Sequence, residues 1–180
     1  MKPQKDINLL AYCTDASMIE GCASGIIYPR NTEDVKNAVL MSKDVVIRGG
    51  GSGLVGGCVP QNSVVLSLEK MNKILKLDIG KSIVEVESGI ILGELNSKIE
   101  KYNLEFPVKP SSHEVCTIGG MIATNAVGNR AVKYGKTSDW VLELEVVDGK
   151  GQVLKIGKTE IGDFSGMEGI TGVIVKAKLK

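Results

Sequence analysis

Apolar positions along this chain fall into short runs with two different periods. Val45-Val46-Ile47 and Val64-Val65-Leu66-Ser67-Leu68 are compact apolar runs that predict strands, as does Ser24 to Tyr28, which ends at Pro29. Ile83, Glu85 and Glu87 alternate with Val84 and Val86, the period of a half-buried strand. Val35, Ala38 and Val39 share the spacing of one helical face, and Asn31 or Thr32 can cap that helix. Leu92, Leu95, Ile99 and Tyr102 predict a second helix that ends near Asn103. Val141 to Val147 and Gln152 to Ile156 predict a hairpin around Asp148-Gly149-Lys150-Gly151, and Gly172 to Leu179 a last strand. Residues 1 to 11 read as a polar start with a helical turn. The stretch from Phe106 to Arg130 carries Pro107, Pro110 and three glycines without periodicity, and a loop of that length in a compact domain is usually functional. Strands and helices do not alternate strictly, so the expected fold class is α+β.

The strand at Val45-Val46-Ile47 empties into Arg48-Gly49-Gly50-Gly51-Ser52-Gly53, followed by a second glycine pair at Gly56-Gly57. Glycines tolerate positive φ and let backbone N–H groups approach a ligand that side chains would obstruct. Successive N–H groups in such a turn form a concave nest for phosphate or pyrophosphate oxygens. The loop lacks the terminal Gly-Lys-Ser/Thr of a P-loop, because Leu54 and Val55 follow Gly53. It also lacks the helix that follows a Rossmann turn, because Pro60, Gln61 and Asn62 lead into another strand. The nest therefore binds without a helix behind it. A tight connector between two strands is the alternative reading of the loop alone.

With 180 residues, 43% hydrophobic and 24% charged, the chain suits one globular domain built from two small lobes, approximately 1–75 and 76–180. The formal charge of +1 and the scattered Lys and Arg give no footprint for nucleic acid. Cys13, Cys22, Cys58 and Cys116 form no Cys-x-x-Cys pair and His113 is the single histidine, so no metal site is expected. Free thiols, a polar Met1-Lys2-Pro3-Gln4-Lys5-Asp6 start and the lack of a spanning apolar run lead us to expect a cytoplasmic protein with no membrane span, attached peripherally at most through a partner.

A second cluster is rich in small and hydroxyl residues: Pro110-Ser111-Ser112, then Cys116-Thr117-Ile118-Gly119-Gly120-Met121-Ile122-Ala123-Thr124-Asn125-Ala126. Together with the glycine loop it forms part of an ordered series. The other blocks are Tyr12-Cys13-Thr14-Asp15-Ala16-Ser17, Pro29, Val65 to Asn72, Glu87-Ser88-Gly89, Tyr134 to Asp139, and Glu168-Gly169-Ile170-Thr171-Gly172-Val173-Ile174. In these blocks the chain resembles the FAD-binding domain of the vanillyl-alcohol oxidase and p-cresol methylhydroxylase flavoprotein family. Within it, the chain is most similar to glycolate oxidase subunits and D-lactate and D-2-hydroxyglutarate dehydrogenases.

The resemblance implies an α+β fold of the p-cresol methylhydroxylase type, two subdomains with FAD between them. Arg48, Gly49, Gly50, Gly51, Ser52 and Gly53 would wrap the pyrophosphate. Pro29, Pro110, Ser111, Ser112, Thr117, Gly119, Gly120, Ala123, Asn125, Tyr134 and Gly135 would complete the cofactor contacts, with Glu168, Gly169, Gly172, Val173 and Ile174 approaching from the last strand. Ser52 stands where a histidine tethers FAD in some members, so noncovalent FAD is expected. Asp139 is expected to be a structural bond-maker, Glu168 a carboxylate that bonds loop N–H groups, and His113 a solvent-facing loop residue.

The sequence also departs from the family. The chain is expected to lack the substrate-binding cap domain, the segment Thr159 to Gly169 is short, and Lys109 stands where an aspartate commonly precedes Pro-Ser-Ser. No catalytic residue can be named. The reading is an FAD-carrying component of an oxidoreductase acting on the CH–OH of a 2-hydroxy acid, completed by a separate cap or electron-transfer partner, with self-association also open. The alternatives are a non-catalytic flavin-binding or interaction module and a nucleotide-sugar reductase that shares the domain.

Overall fold

The computed structural model describes residues 7–180. The expected leader-free start at Met1 to Asp6 lies outside them, and Ile7–Tyr12 forms a 3-10 helix. Two sheets organise the chain. The first holds β1 (Cys22–Ile27), β2 (Val45–Arg48) and β3 (Gln61–Ser67), all parallel in the order β1-β3-β2. Between β1 and β2 runs α1 (Thr32–Met41). It starts where it does because Asn31 Oδ1 accepts the Asp34 N–H at 2.9 Å, and Glu33 and Asp34 complement the first turn. Its apolar stripe buries Val35 and Ala38.

The second sheet is antiparallel, in the order β4-β5-β8-β6-β7, from β4 (Ile74–Asp78), β5 (Ile83–Glu87), β6 (Val141–Val147), β7 (Val153–Gly157) and β8 (Val173–Leu179). One face packs on α2 (Leu92–Ile99) and α3 (Ile118–Ala123), closing a core around Val86, Leu92, Leu95, Ile118, Met121 and Leu144. The other face carries charge pairs in register, Glu85 opposite Lys178 and Glu145 opposite Lys176. A further short helix, α4 (Ala131–Tyr134), precedes the Thr137–Trp140 turn.

The two sheets share a second core. Ile27, Val35, Ala38, Leu66 and Met71 from the first lobe pack with Val147, Val173 and Val175 of the second sheet. Thr32 Oγ1 donates to Glu145 Oε1 at 2.8 Å, and Lys176 Nζ lies 2.8 Å from the same oxygen. Burial acts to raise the Glu145 carboxyl, but the Lys176 ammonium and the Thr32 hydroxyl outweigh it and hold the group below the usual carboxylate range. These contacts tie the two sheets together beside the cleft.

Two expectations change. The Phe106 to Arg130 stretch is not a plain loop, because it contains α3, and β4 is a strand that periodicity did not show. No helix among the described residues is long and apolar enough to cross a membrane.

Candidate functional site

β2 points at the seam between the lobes and delivers Gly49 to Cys58 there as an irregular loop before β3. Two close approaches set its path. A Cβ on Gly50 would overlap the Val115 carbonyl oxygen, so only glycine lets the loop lie against the Val115–Thr117 backbone. Gly51 adopts φ of 66°, a left-handed conformation that bulkier residues resist. Among the described residues, no backbone N–H from Gly50 to Cys58 finds an acceptor within the protein. A run of unsatisfied donors around a concavity is an anion nest.

The opposing wall is α3 and the turn before it. Thr117 Oγ1 caps α3 by accepting the Gly120 N–H at 3.2 Å. Ile118 and Gly119 donate to the Ile90 and Ser88 carbonyls at 2.9 and 2.7 Å, which pins the helix start to the segment after β5. The hydroxyl-rich turn at Pro110–Val115 closes through His113 N–H to Pro110 O at 3.1 Å and Cys116 N–H to Ser112 O at 2.8 Å.

Between these walls lies a cleft of about 380 Å³. Gly49 to Gly53 line one side, Pro110, Ser112, Thr117, Gly120 and Ala123 the other, and Glu168 one end. Leu54, Val55, Gly57, Cys58, Met121 and Thr124 also line it. No family block marked Leu54 or Cys58; the Gly56-Gly57 pair was the available signal that the loop continues to bind past Gly53. Leu54 and Val55 are 76% and 67% exposed at the mouth. Among the described residues, no Lys or Arg lines the cleft.

The other expected contacts sit elsewhere, for physical reasons. Pro29 is buried between β1 and α1. Arg48 begins the loop, but its guanidinium turns away from the cleft, with Nη1 donating to Thr14 O at 2.7 Å and Nη2 to Ala11 O at 3.3 Å. Ser111 is exposed on the turn, and Gly119 is buried against Ser88. Asn125 Oδ1 accepts the Ser138 N–H at 3.1 Å. Tyr134 lies under Arg130, 4.8 Å from guanidinium to ring centre, and Gly135 packs on Asp139. Gly169 packs behind Ile47 of the cleft wall, while Gly172, Val173 and Ile174 enter the sheet and its cores.

Three single-residue expectations resolve as follows. Asp139 Oδ2 accepts the Lys136 N–H at 2.9 Å, a structural cap. Among the described residues the Glu168 carboxylate makes no hydrogen bond to loop N–H groups. It rests against Gly57, held by a backbone with φ of 51° and by its own N–H on Ala123 O at 2.8 Å. His113 is not simply solvent-facing, because its side chain is 26% exposed and Nε2 lies 2.8 Å from Glu114 Oε1.

Both cleft thiols are poor nucleophiles. Burial pushes Cys58 up to about 11; the nearby Arg48 charge opposes this and Asp15 reinforces it. Burial also raises Cys116, against the lowering effect of its hydrogen bond with Ser112.

Residues 23–157 match the FAD_binding_4 family, described as an FAD binding domain. The chain is 37% identical over 169 residues to a D-lactate dehydrogenase of Archaeoglobus fulgidus, covering 86% of this chain and 38% of that protein. It is 33% identical to glycolate oxidase subunit GlcD of Bacillus subtilis (95% of this chain, 40% of GlcD) and 35% identical to a D-2-hydroxyglutarate dehydrogenase of Xanthomonas citri (86% and 36%). It thus spans well under half the length of these relatives. A solved structure of alkyldihydroxyacetonephosphate synthase superposes with a TM-score of 0.82 at 27% identity, over 90% of this chain and 31% of that one. FAD is the cofactor of this domain, and the cleft fits it: a glycine-rich side, N–H donors without an acceptor among the described residues for a diphosphate, and an opposing wall of mostly small residues.

Proposed function

We propose, for a chain that belongs to the FAD_binding_4 family of FAD-binding domains, that it is the flavin-holding unit of an oxidoreductase acting on the CH–OH of a 2-hydroxy acid. The observation that carries this is the run of N–H groups from Gly50 to Cys58 that find no acceptor among the described residues, on a loop that lines a cleft of about 380 Å³. The named activities of the D-lactate, glycolate and D-2-hydroxyglutarate relatives support the substrate class.

When bound, the flavin supplies the two-electron acceptor. The chain's residues hold and orient it. Gly50 to Gly53 offer N–H donors to the diphosphate oxygens, Ser112 and Thr117 offer hydroxyls, and Ala123 and Met121 give an apolar surface that excludes water. The attachment is noncovalent. No histidine lines the cleft, Ser52 cannot form a histidyl link, and the two lining thiols are held protonated.

A hydroxy acid also needs a cation for its carboxylate and a base for its hydroxyl proton. The lining residues offer Glu168 as their sole carboxylate and no Lys, Arg or His. A further unit, on the same polypeptide or another, supplies those groups and covers Leu54 and Val55 at the mouth. Four unpaired thiols support a reducing, cytoplasmic setting.

The test is the visible spectrum of the purified chain after excess FAD and desalting, then after D-lactate or glycolate. Retained flavin bands that bleach with a hydroxy acid only when the further unit is present support the proposal. A protein that stays colourless removes the flavin role. Flavin bands that never bleach under any supplementation leave a non-catalytic flavin module.

A further inference from the structure

Among the described residues Arg48 is the cation at the glycine loop, and its placement is unexpected. The guanidinium fills the space behind Gly51, where a Cβ would come within 2.8 Å of Cζ. It lies 5.3 Å from the Tyr12 ring centre, and Tyr12 Oη donates to Glu69 Oε2 at 3.0 Å. Its two terminal nitrogens, Nη2 and Nη1, donate to the Ala11 and Thr14 carbonyls. Two more ties join the same segment to the loop. Ala16 N–H donates to Gly51 O at 3.1 Å, and Cys58 Sγ donates to Asp15 Oδ2 at 3.5 Å. The Tyr12–Ser17 segment is therefore tied to the loop at Arg48, Gly51 and Cys58.

We infer that Arg48 is a positioning residue: it braces the glycine loop from behind through the Tyr12–Ser17 segment, and its charge is used inside the protein rather than on the cofactor's phosphates. An arginine beside a phosphate nest would ordinarily be read as a phosphate ligand, because its fork matches phosphate oxygens. Here each terminal nitrogen donates to a main-chain carbonyl, and the guanidinium lies 5.3 Å from the Tyr12 ring centre. Lysine cannot reproduce that two-pronged hold. The brace keeps Gly51 in its left-handed conformation and so keeps the donor row concave.

The proposal rests on the FAD reading in its affinity arm only. FAD dissociation constants are measured for wild type, Arg48→Gln, Arg48→Lys and Tyr12→Leu. In parallel, amide exchange of Ala16 is measured on the cofactor-free proteins. A brace predicts that all three variants weaken FAD on the order of tenfold or more, with Lys no better than Gln. Ala16 exchange rises on the order of tenfold in each. Tyr12→Leu is decisive if the Arg48 variants fold poorly, because it keeps the arginine and frees it towards the cleft. A direct phosphate ligand predicts the reverse pattern: Arg48→Lys retains affinity, Arg48→Gln loses it, and Tyr12→Leu leaves it unchanged or tighter with Ala16 exchange unaltered. That result would overturn the inference. If wild type itself takes up no FAD, the flavin reading fails, and Ala16 exchange still decides whether Arg48 braces the loop.

Discussion

On the α3 wall of the cleft the backbone is already engaged: Ile118, Gly119, Gly120 and Met121 donate to Ile90 O, Ser88 O, Thr117 Oγ1 and Thr117 O. On the glycine-loop wall, across the same cleft, the N–H groups from Gly50 to Cys58 find no acceptor among the described residues. The first wall holds its shape through internal hydrogen bonds and burial of Ile118, Met121 and Ile122. The second cannot, and depends on support from outside, the Arg48 brace and the Val115 contact. A binding site built from backbone donors needs both kinds of wall. One must be left unsatisfied so that it can bind, and the other must be satisfied so that the first has something rigid to lie against.

The largest expected effect comes from filling the unsatisfied wall. Gly50→Val would drive a side chain into the Val115 carbonyl and displace the loop. FAD affinity should fall by more than about 100-fold, read by flavin fluorescence titration, since overpacking costs about 1–3 kcal/mol and the donor row is also misplaced.

Breaking the satisfied wall costs less. Thr117→Val keeps the shape but leaves the Gly120 N–H without its cap. Loss of about 1 kcal/mol is expected, seen as a drop in Tm of roughly 2–4 °C, with FAD affinity also reduced, through the shifted helix start and the missing Thr117 hydroxyl.

Acid tests the supports shared by both walls. Hydrogen bonds to Ser17 and Cys58 outweigh burial at Asp15, and Lys176 with Thr32 does so at Glu145, so both carboxyls lie below their usual range when folded. Such groups stabilise the fold above the unfolded carboxylate pKa of about 4 and lose that contribution as pH falls through the lower folded value. Urea midpoints should therefore be flat from neutral pH to about 5 and fall below about 4. Glu145→Gln should start lower and lose less on acidification than wild type.

The smallest effect sharpens the unsatisfied wall. Among the described residues Glu168 is the sole carboxylate lining the cleft. Glu168→Gln should tighten FAD by about two- to threefold, and added salt should erase the difference.

Much of the fold was legible in the residues. β2 and β5 occupy the ranges that apolar patterning predicts, and Asn31 caps α1 as its residue type suggests. α3 was not legible. Ile-Gly-Gly-Met-Ile-Ala has two poor helix formers in six positions, and the helix exists because Thr117 caps it and the core takes three of its side chains. β4 was hidden because it is an edge strand, with Leu75 and Lys76 exposed, so its apolar alternation is weak. In the site, glycines and hydroxyls announced both walls. The direction of the Arg48 guanidinium depends on Tyr12, Ala11 and Thr14, residues 34 or more positions away in sequence, and no local pattern carries that information. Val173 and Ile174 were assigned to the cofactor because their motif adjoins it, whereas strand pairing buries them in the two cores.

The central claim is that backbone N–H groups, without a cationic side chain, hold the cofactor's diphosphate. Its most direct test is the FAD dissociation constant of the wild-type chain between about 0.1 M and 1 M salt, a range over which the Debye length shrinks from about 10 to 3 Å. The account predicts a nearly constant value, because fixed dipoles at contact are little screened. A loss of affinity of an order of magnitude or more would show that a side-chain cation carries the phosphates and would contradict it.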